Sequence, residues 1–217
     1  MGKYKYVLFD LDGTLVLSHP GIYSCIRYAL HELGYPEPKE ELLPKCVGPS
    51  LHYSFSVFFG LSDEEAHRAT AKYREKYSLT GVYENEPIDG ALECLKALKE
   101  NGYKTSLATS KPKIYADLIA GRFGFSNYLD AQVGPGMDGS LPTKADVISE
   151  AIRQLGATPS ECLMVGDRMH DREGAKICGV DCALLNVGYA EAGEAEACQP
   201  EYFFKDFKEV TEFLLSK

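Results

Sequence analysis

The 217-residue chain predicts an α/β fold in which a doubly wound parallel sheet is interrupted after its first strand by an all-helical insertion. Three observations predict it. The stretch YKYVLFDLDGTL at residues 4–15 starts as an apolar run, Val7, Leu8 and Phe9, and ends in Asp-Gly turn chemistry. Residues 16–83 carry helical periodicity and turns but no convincing strand. From Pro87 onward helical and strand patterns alternate, and repeated βα units imply a parallel sheet with both faces covered. The core is therefore assigned to 1–15 and 84–217 and the inserted helical domain to 16–83, with hinges at 15–18 and 81–87.

Each element has its own signal. In the insertion, Ile22, Cys25, Ile26, Ala29, Leu30 and Leu33 recur at helix spacing and Gly34 marks the stop. Leu51, Phe55 and Phe58 predict a second helix, and a third runs from Ser62 to about Tyr77. In the core, Ile88, Ala91, Leu92, Leu95 and Leu98 form one helix face. KTSLAT then predicts a strand ending at Thr109, followed by a helix over 112–123 and a short strand over 129–133. Val147, Ile148, Ala151, Ile152 and Leu155 give the buried face of the next helix. ECLMVGD is a strand ending in Asp167, with a helix through Gly174 and Ala175 behind it. DCALLNV predicts another strand, and residues 202–204 a last one before the terminal helix.

Composition narrows the function classes. An apolar fraction of 45% and a charged fraction of 25% suit a soluble globular protein. No stretch approaches a membrane span, and the amino terminus lacks a signal-peptide pattern. The net charge of −9 argues against binding a nucleic acid polymer, which needs clustered Lys and Arg. Seven cysteines without a CxxC pair are read as reduced, mostly buried thiols of a cytoplasmic protein.

Ligands of open α/β sheets bind outside the carboxyl ends of the strands, and Asp10, Thr109 and Asp167 each stand at such an end. With Asp12 and Asp171 they bring four carboxylates to one crevice, where like charges either take up protons or bind a cation. Oxygen ligands without a His/Cys cluster favour Mg²⁺ over zinc. Two bland readings compete: Asp12-Gly13 as a mere turn, and Asp167 or Asp171 as helix-capping acids. Capping explains one acid but not the same arrangement at two strand ends. Lys144, in the capping-box pattern TKAD, would open a helix where its charge opposes the macrodipole, unless it serves an anion. A solvated surface lysine is the alternative. Thr109 and Ser110 add a hydroxyl and loop amides, and the whole set suits a phosphoryl group.

The sequence resembles the haloacid dehalogenase superfamily, in its phosphoglycolate-phosphatase-like and 5′-nucleotidase-like branch with a helical cap. DLDGTL matches the first family motif, LATSKP the second, Lys144 in PTKADVI the third and VGDRMHDREGA the fourth. Segments GIYSCIRYAL and VGPSLHYSF extend the match into the cap. The resemblance implies a Rossmann-like core and a Mg²⁺-dependent phosphomonoesterase. It makes Asp10 the nucleophile and Asp12 the acid and then base. It gives Mg²⁺ to the Asp10 carboxylate, the Asp12 carbonyl and Asp167, with Asp171 steering the ion or its waters. It assigns the phosphoryl oxygens to Thr109, the Ser110 amide and Lys144. Gly13 permits the turn. One position departs from the pattern: Leu17 stands where relatives often carry Asp, at the cap junction.

The cap should select the substrate, a small phosphorylated metabolite. Lys45, His52 and Tyr53 near a Gly-Pro turn are the specificity candidates, while the cap phenylalanines are read as core. Phosphoglycolate and nucleoside 5′-monophosphates both stay open, with a lean towards nucleotides. Three rivals share parts of the pattern. A sugar-phosphate mutase uses the same four motifs, a dehalogenase would direct the first Asp at carbon, and a phospho-acceptor signalling domain also places acids at parallel strand ends. The second acid and the phosphate lysine disfavour the dehalogenase, and the helical insertion disfavours the signalling domain.

Overall fold

The computed structural model describes residues 2–190 and 193–216, which form two compact units: residues 2–17 with 87–190 and 193–216, and Ser18–Glu86.

In the first unit, strand β1 (Tyr6–Phe9) leads to the two-residue β2 (Val16–Leu17). The second unit follows, built from α1 (His19–Glu32), the short α2 (Leu51–Tyr53) and α3 (Asp63–Leu79). Strand β3 (Glu86–Pro87) pairs with β2, where the chain leaves and rejoins the first unit. After it come α4 (Ala91–Glu100), β4 (Lys104–Ala108), α5 (Lys113–Arg122) and β5 (Ala131–Val133). Next are α6 (Lys144–Leu155), β6 (Cys162–Gly166), α7 (Met169–Ile177) and β7 (Asp181–Leu185). The chain closes with α8 (Glu194–Cys198), β8 (Tyr202–Phe204) and α9 (Phe207–Leu215).

Six strands form one sheet in the order β5-β4-β1-β6-β7-β8, and every pairing is parallel. The register sets Phe9 level with both Leu107 and Val165. The carboxyl ends of β1, β4 and β6 therefore finish side by side. The chain builds outward from β1 through β4 to β5, then returns to place β6 on the other side of β1. The reversal makes β1–β6 the topological switch point, where such sheets bind ligands.

The strand residues alternate between two packed faces. Leu8 belongs to a cluster with Val147, Ile148 and Ala151 of α6 and Ala175 of α7. Phe9 turns to the other face and meets Phe207 of α9, ring centroids 6.3 Å apart. Val7, Leu8 and Phe9 are fully buried, each burial contributing about 1.5–3 kcal/mol. A charge at Leu8 would be buried unpaired in this layer and would destabilise it strongly.

The helical unit is held by different means. Gly21 on α1 lies so close to Gly81 that a Cβ there would meet the Gly81 carbonyl oxygen at 2.1 Å. Helix α3 starts from a full capping box in which Ser62 and Glu65 satisfy each other's backbone donors.

Three local expectations are corrected. The helix expected through Leu51, Phe55 and Phe58 is three α-helical residues running into a π-helical stretch, Ser54–Phe58, so its apolar spacing is not strictly helical. Leu92 is exposed, and Cys94 takes the buried place on α4. Strand β2 lies within 16–83, where no strand was expected, because two residues carry no periodicity. Helix α8 is likewise too short to announce itself. No described helix is long and apolar enough to cross a membrane, and all seven cysteines are free thiols.

Candidate active site

Asp10 follows β1 directly, and its backbone N–H donates to the Val165 carbonyl of β6 at 2.9 Å. The ladder thus continues one residue past the strand and locks the carboxylate at the sheet edge. Asp167 follows β6 in the same way and is fully buried. Asp171 sits in the first turn of α7 and is also buried; its Oδ2 accepts from the backbone N–H groups of Asp167 and Arg168, both at 3.1 Å. The capping reading of Asp171 is therefore correct as local chemistry. It does not exhaust the residue, because the other oxygen faces Lys144.

Lys144 opens α6 behind the Thr143–Asp146 capping box, as the sequence predicts. It is not a solvated surface lysine. The ammonium lies 2.9 Å from Asp10 Oδ1 and 2.8 Å from Asp171 Oδ1, and donates to the Ala108 carbonyl at 2.9 Å. Burial alone would drive the lysine towards neutrality, but the Asp10 and Asp171 charges outweigh it and hold its pKa above the ordinary value. The same burial, with the Asp171 charge added, pushes Asp10 up to about 6 although Lys144 pulls the other way. Asp167 rises well above the usual carboxylate range, again by burial first and then by Asp171, against the opposing hydrogen bond from the Tyr189 N–H. Two carboxylates share the Lys144 ammonium and Asp167 stands beside them without a lysine of its own, so the cluster of three acids carries more negative than positive charge.

That imbalance bears on a metal. One oxygen from each of Asp10, Asp167 and Asp171 lies within 4.8 Å of the others. Asp10 Oδ1 and Asp171 Oδ1 are buried without an aligned hydrogen bond, despite their closeness to Lys144. Converging carboxylate oxygens in an all-oxygen set, with one ammonium against two of the three acids, fit a hard divalent cation.

Asp12 takes a different partner. Its two carboxylate oxygens lie 2.9 and 2.8 Å from Lys111 Nζ, which is itself buried. Sequence reasoning missed Lys111. The only signal was its place two residues beyond Thr109, in TSKP. Thr109 is buried, donates its N–H to Val133, and accepts from the Lys111 N–H at 3.2 Å. The same loop thus carries the hydroxyl, the lysine and the exposed Ser110.

Two further groups shape the site without having been foreseen. Thr14 donates to Asp167 Oδ1 at 3.3 Å, and the Tyr189 N–H donates to Asp167 Oδ2 at 2.6 Å. Gly13 has φ +83°, and a Cβ there would fall 2.2 Å from Asp167 Oδ2. Its role is therefore close approach as well as the turn.

Lys45, His52 and Tyr53 all lie in the helical unit. Lys45 is exposed on the 3₁₀ turn Pro44–Cys46, Tyr53 is exposed, and His52 is half-buried beside Asp63.

The family model for haloacid dehalogenase-like hydrolases matches residues 7–185. The chain belongs to that family. A 5′-nucleotidase of Pseudomonas aeruginosa is 37% identical over 99% of this chain and 97% of its own length. The tyrosine-protein kinase PtkA of Mycobacterium tuberculosis is 39% identical over 87% of this chain and 64% of that protein. Among solved structures, a predicted phosphatase from Clostridium acetobutylicum superposes with a TM-score of 0.93, at 33% identity and full coverage of both chains. The resemblance read from the four motifs holds, as do the α/β fold class and the assignment as an enzyme of this hydrolase family, a phosphatase.

Proposed function

We propose that the chain is a Mg²⁺-dependent phosphomonoesterase acting through an aspartyl-phosphate on Asp10. The observation that carries this reading is the convergence of Asp10, Asp167, Asp171 and Lys144 at the β1–β6 switch point. Such a site neutralises and positions a phosphoryl group, which is most of what phosphoryl transfer requires. In the first half-reaction an Asp10 oxygen bonds to phosphorus as the ester P–O bond breaks, and the leaving oxygen takes a proton from Asp12. In the second, water attacks phosphorus and yields a proton to Asp12. The bond to Asp10 breaks, phosphate leaves and the carboxylate is restored.

Lys111 orients the Asp12 side chain, which enters the first half protonated and the second as the carboxylate. Lys144, Thr109 and the Ser110 amide hold the phosphoryl oxygens. Mg²⁺ would be held by Asp10, the Asp12 carbonyl and Asp167, with Asp171 behind them. When bound it supplies charge neutralisation at the phosphoryl oxygens.

The substrate we propose is a small phosphorylated metabolite, a nucleoside 5′-monophosphate or phosphoglycolate, not a nucleic acid polymer or a membrane component. The relative named 5′-nucleotidase supports the nucleotide. Lys45, His52 and Tyr53 of the helical unit, residues 16–83 in the sequence division, would discriminate between leaving groups. Seven free thiols support a cytoplasmic setting.

A panel of phosphomonoesters with Mg²⁺ tests the reading through phosphate release and hydroxylamine trapping of the acyl phosphate. Release of phosphate with multiple turnovers is expected. Isomerised product without release would replace this reading by the sugar-phosphate mutase. A stable phosphoprotein without turnover would replace it by the phospho-acceptor domain.

A further inference from the structure

The helical unit contains a second cluster with the chemistry of a metal site. His52 comes from α2, and Asp63 and His67 stand four residues apart at the start of α3, on one helix face. His52 Nε2 lies 3.0 Å from Asp63 Oδ1, and His67 Nε2 lies 3.7 Å from Asp63 Oδ2. The two imidazoles are neighbours, with ring centroids 4.5 Å apart. One ligand atom from each of the three residues falls within 4.8 Å of the other two.

We infer that His52, Asp63 and His67 bind a divalent transition metal of the Zn²⁺ class, separate from the carboxylate site of the α/β unit. Tetrahedral ligands at about 2.0–2.1 Å from zinc stand about 3.3 Å apart, and the two imidazole–carboxylate separations, 3.0 and 3.7 Å, bracket that figure. Two imidazoles and one carboxylate leave a fourth position for water. The donor set differs in kind from the all-oxygen one, so the two sites should sort metals: Mg²⁺ to the carboxylates, Zn²⁺ to the imidazoles.

An ordinary His–Asp ion pair accounts for one imidazole, yet two of them converge on the same carboxylate. His52 Nε2 is buried without an aligned hydrogen bond, although Asp63 is near. A metal would tie the segment before the π-helical turn to the first turn of α3, closing a loop over residues 52–67.

Equilibrium dialysis of the full chain against Zn²⁺, with millimolar Mg²⁺ present to occupy the carboxylate site, tests the inference. Wild type should retain one equivalent of Zn²⁺, and His67→Ala should weaken that binding by at least about a hundredfold, beyond the loss typical of an outer-shell partner. Asp167→Asn should leave it unchanged, and His67→Cys, which keeps a ligand, should restore it. Substituting Co²⁺ should give the visible bands of a nitrogen-ligated site in wild type and Asp167→Asn but not in His67→Ala. Far-UV circular dichroism on each variant separates lost ligation from lost fold, since His67 is exposed. No zinc retention by wild type, or retention lost in Asp167→Asn and kept in His67→Ala, would overturn the inference.

Discussion

In the α/β unit, Asp167 is fully buried and Asp171 is 1% exposed, and Asp10 and Asp12 are each met by a buried lysine. In the helical unit, the Asp63 side chain is 83% exposed and that of His67 70%, and Lys45 and Tyr53 face solvent. Both units gather titratable groups, but the acid clusters differ: the first unit buries its Asp167 and Asp171, the second leaves Asp63 and His67 in solvent. Charges inside the first perturb one another strongly, because low dielectric magnifies each interaction. Charges on the second are screened and cheap to change. Substitutions in the α/β unit should therefore alter chemistry for every substrate, and those in the helical unit should change preference.

The largest effect is expected from Asp10→Asn, which removes the nucleophile and should cut turnover by about 10⁴-fold or more while the thermal melt stays cooperative. Mg²⁺-dependent turnover surviving in pure protein would remove Asp10 from the chemistry. Asp12→Asn should slow both half-reactions by about 10²–10⁴-fold. Wild-type rates across the pH profile would reduce Asp12 to a turn residue.

Metal dependence follows. Chelator should silence the enzyme and Mg²⁺ restore it, Asp167→Ala should raise the Mg²⁺ requirement at least about tenfold, and Ca²⁺ should substitute poorly because it tolerates looser coordination. Full activity in excess chelator contradicts the oxygen-ligated site.

Lys111→Met takes a charged hydrogen-bond partner from Asp12, worth about 1.5–3 kcal/mol, and should slow turnover roughly ten- to a hundredfold, with partial rescue by Lys111→Arg. A change in KM alone would assign Lys111 to substrate binding instead.

The smallest effects are expected in the helical unit. Lys45→Ala and Tyr53→Ala should reorder a substrate panel by a few-fold each in kcat/KM, in the range of a lost surface contact of about 1 kcal/mol, and leave acetyl phosphate nearly unaffected. Lys144→Ala should damage every substrate alike, since all share the phosphoryl group. If Lys144→Ala and the helical-unit variants show the same pattern across the panel, the contrast between the units fails.

Much of this was legible in the residues themselves. Apolar runs and Asp-Gly chemistry are local signals, so β1, β6 and the acids that end them could be read directly. The TKAD pattern placed Lys144 at the start of α6, and the structure has the capping box there. Periodicity served the long elements and failed for the short ones: α8 and β2 lack the length to repeat, and Leu92 and Cys94 exchange exposure on one helix.

By itself, then, the sequence determined which residue types end which strands, because strand and cap signals reside in a few consecutive residues. Only the tertiary structure decided which charges meet. Lys144 lies between Asp10 and Asp171, which are 134 and 27 residues away, and Lys111 meets Asp12 across 99 residues. Ion pairing depends on distance in space, and here the parallel register that sets β1, β4 and β6 level at one edge supplies that distance. The His52–Asp63–His67 cluster shows the same limit: its i, i+4 pair on α3 is local, but the third member arrives through the π-helical turn, whose spacing no period in the sequence announces.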